Sequence, residues 1–284
     1  SENGWLFSGR LLRIRHKANE VNPQFLSFYF HQESTKQRVR AVSVGQTMAS
    51  LNTKILKEIE VALAPSKAEQ TAIATALTDA DQYIAHLEKL IAKKRLIKQG
   101  AMQELLKPQE GWGVKRLGEI AEIKKGQLIT ENSRIEGNIP VIAGGRTPAY
   151  YHNKPNRLGQ TITISASGAS AGYVALHRFP IFASDCSTIE ESNQYSIEFI
   201  YFLLLSLQEK IYQMQTGGAQ PHIQPSDLNP IEVSIPEIGI QTQIASFLSN
   251  MDFELEKLEN QLTKAQSLKQ GMMQQLLTGK IRLV

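Results

Sequence analysis

Three stretches of this 284-residue chain carry side chains suited to reading base edges. They are Lys124-Lys125-Gly126-Gln127, the run from Gly144 to Arg157, and Gly217-Gly218-Ala219-Gln220-Pro221-His222. Arg and Lys pair with guanine, Asn and Gln pair with adenine, and hydroxyls and backbone amides position phosphates. The candidate DNA-contacting residues are therefore Lys124, Lys125, Gln127, Arg146, Thr147, Tyr150, Tyr151, His152, Lys154, Asn156, Arg157, Gly217, Gly218, Gln220 and His222. Any one of them alone reads as an ordinary solvent-facing loop residue. As a set, beside local positive charge, they read as a DNA-reading face.

The charge is unevenly spread. The chain is +4 overall. Residues 111–157 hold eight Lys/Arg against four Asp/Glu, or +4, while residues 158–235 hold two against seven, or −5. The first 64 residues hold nine against five, again +4. Basic segments of this kind are the usual footprint of a polyanion partner, and they also occur on ordinary surfaces.

Other chemistry is missing from the sequence. There is no GxxxxGK[ST] phosphate loop, no HExxH and no Asn-Pro-Pro-aromatic tetrapeptide of the adenine methyltransferases. Ser165-Ala-Ser-Gly-Ala-Ser-Ala-Gly172 is glycine-rich but lacks dinucleotide-binding spacing, and reads as a tight strand connection. Cys186 is the one cysteine, which excludes an intrachain disulfide and a thiolate-rich zinc site. The six histidines (His16, His31, His86, His152, His177 and His222) show no ligand spacing. The expectation is a chain with no catalytic residues, no metal site and no reaction of its own.

The elements that must carry the loops are announced by a repeat. Lys98–Leu106 reads KQGAMQELL and Lys269–Leu277 reads KQGMMQQLL, 171 positions apart. The same shift pairs Pro65–Leu106 with Pro236–Leu277 without a gap, with identities at Gln70/Gln241, Ile73/Ile244, Leu77/Leu248, Asp81/Asp252 and Leu87/Leu258. Each copy follows a proline and keeps an apolar heptad seam, which predicts a helix of about 40 residues and roughly 60 Å. The seam has the same defect in both copies, a lysine at a core position followed by Gln-Gly. Lysine there and mid-helix glycine both cost stability, so retention in two copies points to a partner-binding end. Its residues are Lys98, Gln99, Gly100, Met102, Lys269, Gln270, Gly271 and Met273.

Between the helices, Pro140–Ala143, Thr161–Ser165 and Tyr173–Leu176 read as short strands, and Ser196–Met214 reads as one buried helix. The first 64 residues resemble the tail of a second such domain. Pro23–Phe30 parallels the start of the Ser196 helix, and Ser43–Leu51 parallels the Gly217 loop. The fold class expected is α+β, with globular α+β domain structure plus two long helices packed as an antiparallel coiled coil. The expected domains are residues 1–64 (C-terminal remnant of a first such domain), 65–107 (first long helix), 108–235 (one complete such domain) and 236–284 (second long helix and tail). With no apolar run long enough to span a bilayer and no convincing signal peptide, a cytoplasmic setting is expected.

These residues resemble a known family, the specificity subunits of type I restriction–modification enzymes. The resemblance rests on the duplicated KQGxMQxLL helix, the start Gly113-Val-Lys-Arg-Leu-Gly-Glu-Ile120, the opening Gln241-Thr-Gln-Ile-Ala245 and the ending Leu276-Leu-Thr-Gly-Lys-Ile-Arg282. It implies a non-catalytic adaptor. Each recognition domain reads half of a split double-stranded DNA site, and the helices space the halves. Methyltransferase subunits dock on the chain, and motor–nuclease subunits join the complex. S-adenosylmethionine, ATP and Mg2+ would belong to those partners, with no cofactor bound by this chain. The departure from the family is a first recognition domain without its front half, which leads to the expectation of a possible homodimer reading a palindromic site. Two rival readings are a coiled-coil scaffold without DNA reading and a self-contained methyltransferase.

Overall fold

The computed structural model describes residues 12, 14, 15, 19–43, 52–133, 135–218 and 220–283. The chain divides into two compact units, Ser1–Ala92 with Glu256–Val284, and Lys93–Leu255. Two helices of 39 residues, Lys67–Leu105 and Ile238–Leu276, each contribute to both units. Each begins two residues after a proline, as the repeat predicts. None of the described helices is long and apolar enough to cross a membrane.

In the first unit, a helix at Pro23–His31 starts on Asn22, whose side chain accepts from the Gln24 and Phe25 amides. That cap satisfies donors the helix itself leaves open. Phe25 and Tyr29 are buried with Ile73, Ala74 and Leu77 of the first long helix and with Leu276 and Leu277. Gln70 ties this helix to the long one: its Oε1 accepts from the Asn22 amide at 2.8 Å and its Nε2 donates to the Ala64 carbonyl at 3.0 Å. Further along, Lys269 donates to Asp81, and Arg282 grips Glu69 with two bonds. The first helix runs backward from 81 to 69 as the second runs forward, so the two pass in opposite directions here.

The second unit holds all the strands of the described residues. They are β1 (Gly113–Arg116), β2 (Lys124–Lys125), β3 (Ile139–Ile142), β4 (Tyr150–His152), β5 (Thr161–Ser165), β6 (Val174–His177), β7 (Phe182–Ala183), β8 (Cys186–Glu190) and β9 (Glu232–Ile235). One sheet has the order β2-β8-β5-β6 and is antiparallel throughout. A second has the order β4-β3-β7, with β3 and β7 parallel. β1 pairs with β9, so the chain leaving the first long helix is stitched to the chain entering the second.

The central strand β5 is buried on both faces. Ile162 and Ile164 enter the core with Ile189, Leu117, Phe199 and Phe202. The intervening Thr163 and Ser165 face the other way and are satisfied by His177 Nε2 at 2.9 Å and the Gly144 carbonyl at 2.8 Å. Buried hydroxyls need such partners.

The Ser196–Met214 stretch is two helices rather than one, Ile197–Ser206 and Gln208–Gln213. Ser206 Oγ bonds back to the Leu203 carbonyl, and the Leu207 amide is shared between the carbonyls of 203 and 204. The Gln208 side chain is then used on the Gly172 carbonyl and the Val174 amide. Gln241 repeats the Gln70 latch, accepting from the Ser196 amide at 3.0 Å and donating to the Pro236 carbonyl at 2.8 Å. Lys98 donates to Asp252, and Lys94 pairs with Glu254 at 2.6 Å. Here too the long helices run in opposite directions.

The seam positions proposed from the heptad pattern are all buried or half-buried, from Gln70 to Leu105 and from Gln241 to Leu276. The parallel drawn between Ser43–Leu51 and the Gly217 loop involves positions 44–51, which lie outside the described residues.

Candidate nucleic-acid interface

Loops far apart in sequence meet around Ser167 and Asp185. The Ser167 hydroxyl donates to the Asp185 carboxylate, and the Ala166 amide donates to the Asp185 carbonyl at 3.2 Å. The Gly217 loop is bound to the same place. Its ends close through Thr216 and His222, which exchange backbone bonds of 2.9 and 2.8 Å, and the Gly168 amide donates to the Pro221 carbonyl at 3.1 Å.

Two glycines let backbones approach there. A Cβ at Gly126 would lie 2.0 Å from the Ser184 carbonyl oxygen, and one at Gly144 would lie 2.6 Å from that of Ser167. No side chain fits at those distances. The loops carrying Lys125, Gln127, Arg146 and Gln220 are thereby fastened to a single hub.

The candidate residues divide into those consumed by the fold and those left at the surface. Lys124 is paired with Glu190 at 3.2 Å and Glu122 at 3.3 Å; its hydrogen bond to Glu190, first, and then that to Glu122 raise its pKa above the usual lysine value. Arg157, with 12% of its side chain exposed, bonds Thr188, the Asn156 and Lys125 carbonyls and, at 3.5 Å, Glu190. The Asn156 amide grips Ala183 twice, donating at 2.9 Å and accepting at 2.6 Å.

His152 was read as a DNA contact, but it is buried: its Nδ1 accepts from the Ile135 amide and its ring sits edge-on to Phe182. Strand alternation explains this, since β4 sends Tyr151 outward and His152 inward. Tyr150 is half-buried, its hydroxyl donating to the Ile129 carbonyl. His222 is half-buried in the closure of its loop. Gly217 has φ +89, a conformation that suits glycine and makes the loop.

Lys125, Gln127, Arg146, Thr147, Tyr151, Lys154, Gly217, Gly218 and Gln220 remain exposed, as does the ion-paired Lys124. The Arg146 guanidinium lies over the Tyr173 ring at 5.2 Å. Both residues line a recess together with Ile142, Pro148, Thr163, His177 and Phe179. Burial lowers the pKa of His177 below the ordinary histidine value and favours its neutral form.

The residues assigned to a partner divide in the same way. Lys98 and Lys269, read as waiting for another protein, each find an internal aspartate, and each ammonium also sits over a phenylalanine, Phe202 at 5.3 Å and Phe28 at 5.7 Å. Met102 and Met273 are half-buried and pack on the cores of their own units. Gln99 and Gln270 are exposed, and nothing lies within 4 Å of where a Cβ would stand at Gly100 or Gly271.

The sequence places Gln70 and Gln241 on the seam and Asp81 and Asp252 in the repeat without showing their partners. Their signal was present, because all four are identical polar residues at matching places in the repeat. Tyr173 gave no signal in the sequence beyond its strand position.

The second unit is an α+β module that gathers basic and amide-bearing loops on one hub and is stitched to the long helices through β1 and β9. The sequence profile of the family described as "Type I restriction modification DNA specificity domain" matches residues 1–97 and 109–265, and the chain belongs to that family. A type I specificity subunit of Mycoplasma genitalium is 24% identical over 265 residues, covering 87% of this chain and 69% of the relative. A specificity subunit of Methanocaldococcus jannaschii is 27% identical over 307 residues, covering 96% and 71%. The crystal structure of a type I restriction–modification S subunit from M. genitalium superimposes with a TM-score of 0.73 at 23% identity, over 92% of this chain and 74% of that one.

Proposed function

We propose that this chain reads one part of a DNA target for a type I restriction–modification complex and carries no chemistry of its own. The observation that supports this most is the fastening of the Lys125–Gln127, Arg146–Thr147 and Gln220 loops to one hub within a chain of the specificity family. Fixed loops hold donors and acceptors in place before DNA arrives, so less conformational freedom is lost on binding. Exposed Lys125 and Lys154 suit phosphates, while Arg146, Gln127 and Gln220 suit base edges. S-adenosylmethionine, ATP and Mg2+ enter with methyltransferase and motor–nuclease subunits. The methyltransferase subunits dock at the open helix faces around Gln99-Gly100 and Gln270-Gly271, where the absent Cβ lets another backbone come close.

The test is a duplex-binding measurement on the assembled protein with Arg146→Glu and Lys154→Glu together. Both side chains are exposed, so the variant folds. Loss of specific binding supports the reading. Specific binding that persists unchanged in the variant overturns this face as the reader, and specific binding absent from the wild type supports the scaffold alternative.

A further inference from the structure

Of the arginines and lysines in and around the recognition loops, several are already committed. Lys124, Arg157 and Arg178 each have a carboxylate within ion-pair distance. Arg146 has none among the described residues, and its guanidinium is laid over an aromatic ring instead. A guanidinium held by a ring rather than by a carboxylate keeps its N–H groups, the fork that matches two adjacent acceptors. Tyr173 is itself fixed, since its amide donates to the Ser170 carbonyl and its carbonyl accepts from the Ser165 amide. The Arg146 loop is anchored on the other side by the Gly144 carbonyl bond to Ser165.

We infer that Arg146 is a specificity-determining residue that reads a guanine in the half-site. This rests on the DNA-reading role proposed above and adds the identity of one base. Guanine offers N7 and O6 as two neighbouring acceptors on its major-groove edge, so both prongs of the fork are satisfied. Adenine offers N7 beside an N6 amino donor, which meets the second prong with a like partner. The half-site therefore contains a G·C pair that is set by Arg146. The recess that the arginine lines has apolar residues at Ile142, Pro148 and Phe179 beside it.

The experiment selects bound sequences from a random duplex pool with the assembled protein, comparing wild type, Arg146→Ala, Arg146→Lys and Tyr173→Leu. In the wild type one position is a fixed guanine. With Arg146→Ala that position alone becomes degenerate, its preference falling by about 10- to 100-fold, while the rest of the site persists. Arg146→Lys keeps the charge but loses the fork; it holds non-specific affinity and also relaxes that position. Tyr173→Leu weakens binding and leaves the sequence unchanged.

Uniform weakening across all sequences by Arg146→Ala, the mark of a phosphate contact, overturns the inference, as does an unchanged site. If the wild type shows no sequence preference at all, the DNA-reading role falls, and this inference with it.

Discussion

Removing Asp252 will cost more than removing its partner Lys98. The lysine side chain is 16% exposed and the aspartate 42%, so the pair is buried mainly at its cationic end. Such a pair lies between exposed ion pairs, at about 0–1 kcal/mol, and fully buried ones, whose disruption costs about 3–5 kcal/mol. In Asp252→Ala the ammonium stays over the Phe202 ring with its carboxylate gone and little water to replace it, a loss of about 2 kcal/mol. In Lys98→Met the attraction is lost as well, but the desolvation of the ammonium disappears with it. The carboxylate left behind is open to water, and the net change is about 0.5 kcal/mol or less. The related pair, Lys269 at 23% and Asp81 at 44%, must show the same asymmetry for the same reason. Urea unfolding followed by circular dichroism measures all four variants. Equal losses on the two sides, or a larger loss for Lys98→Met, would refute the argument from burial.

Alanine at Gly126 meets the Ser184 carbonyl at 2.0 Å and loses about 2–3 kcal/mol by the same assay. Alanine at Gly100, with open space around its Cβ, gains up to about 1 kcal/mol of helix stability and, if the glycine serves a docking partner, weakens methyltransferase assembly; unimpaired assembly would count against that docking face. Cys186 is 3% exposed, and burial pushes its thiol up to about 12, so it stays unlabelled by a thiol reagent at pH 8 until the protein is unfolded. The pKa of His177 is lowered from 6.5 by burial. The unfolded chain therefore takes up its proton first, and stability present above pH 6.5 declines as the pH falls below it. His177→Gln flattens that decline, and an identical pH profile in the variant would remove His177 as its source.

The long helices were legible because a repeat announces itself twice: heptad spacing placed their buried sides and the prolines placed their starts. Within the recognition domain, β5 was legible from its β-branched alternation, whereas β8, reading Cys-Ser-Thr-Ile-Glu, was not. Its burial comes from neighbours β2 and β5, which is a tertiary fact and leaves no periodicity behind. The candidate loops were visible by residue type, but not which side chains the fold would consume. Asn156 and Arg157 have the chemistry of base readers, yet their partners are Ala183 and Thr188, about 30 positions downstream. The aspartate partners of the KQG lysines were hidden for a related reason. A charged residue at a seam position looks like a defect until the aspartate across the helix pair is known, and Asp252 lies 154 residues from Lys98.

The central claim is that this chain decides which DNA sequence its partners modify. Methylation-aware sequencing of host DNA tests it directly, with the native gene, with the gene deleted, and with the segment from Gly113 to Ile235 exchanged for that of another family member. The expected result is a split methylated motif that vanishes on deletion and changes in sequence, but not in presence, on exchange. A motif that survives deletion, or that ignores the exchange, would contradict it.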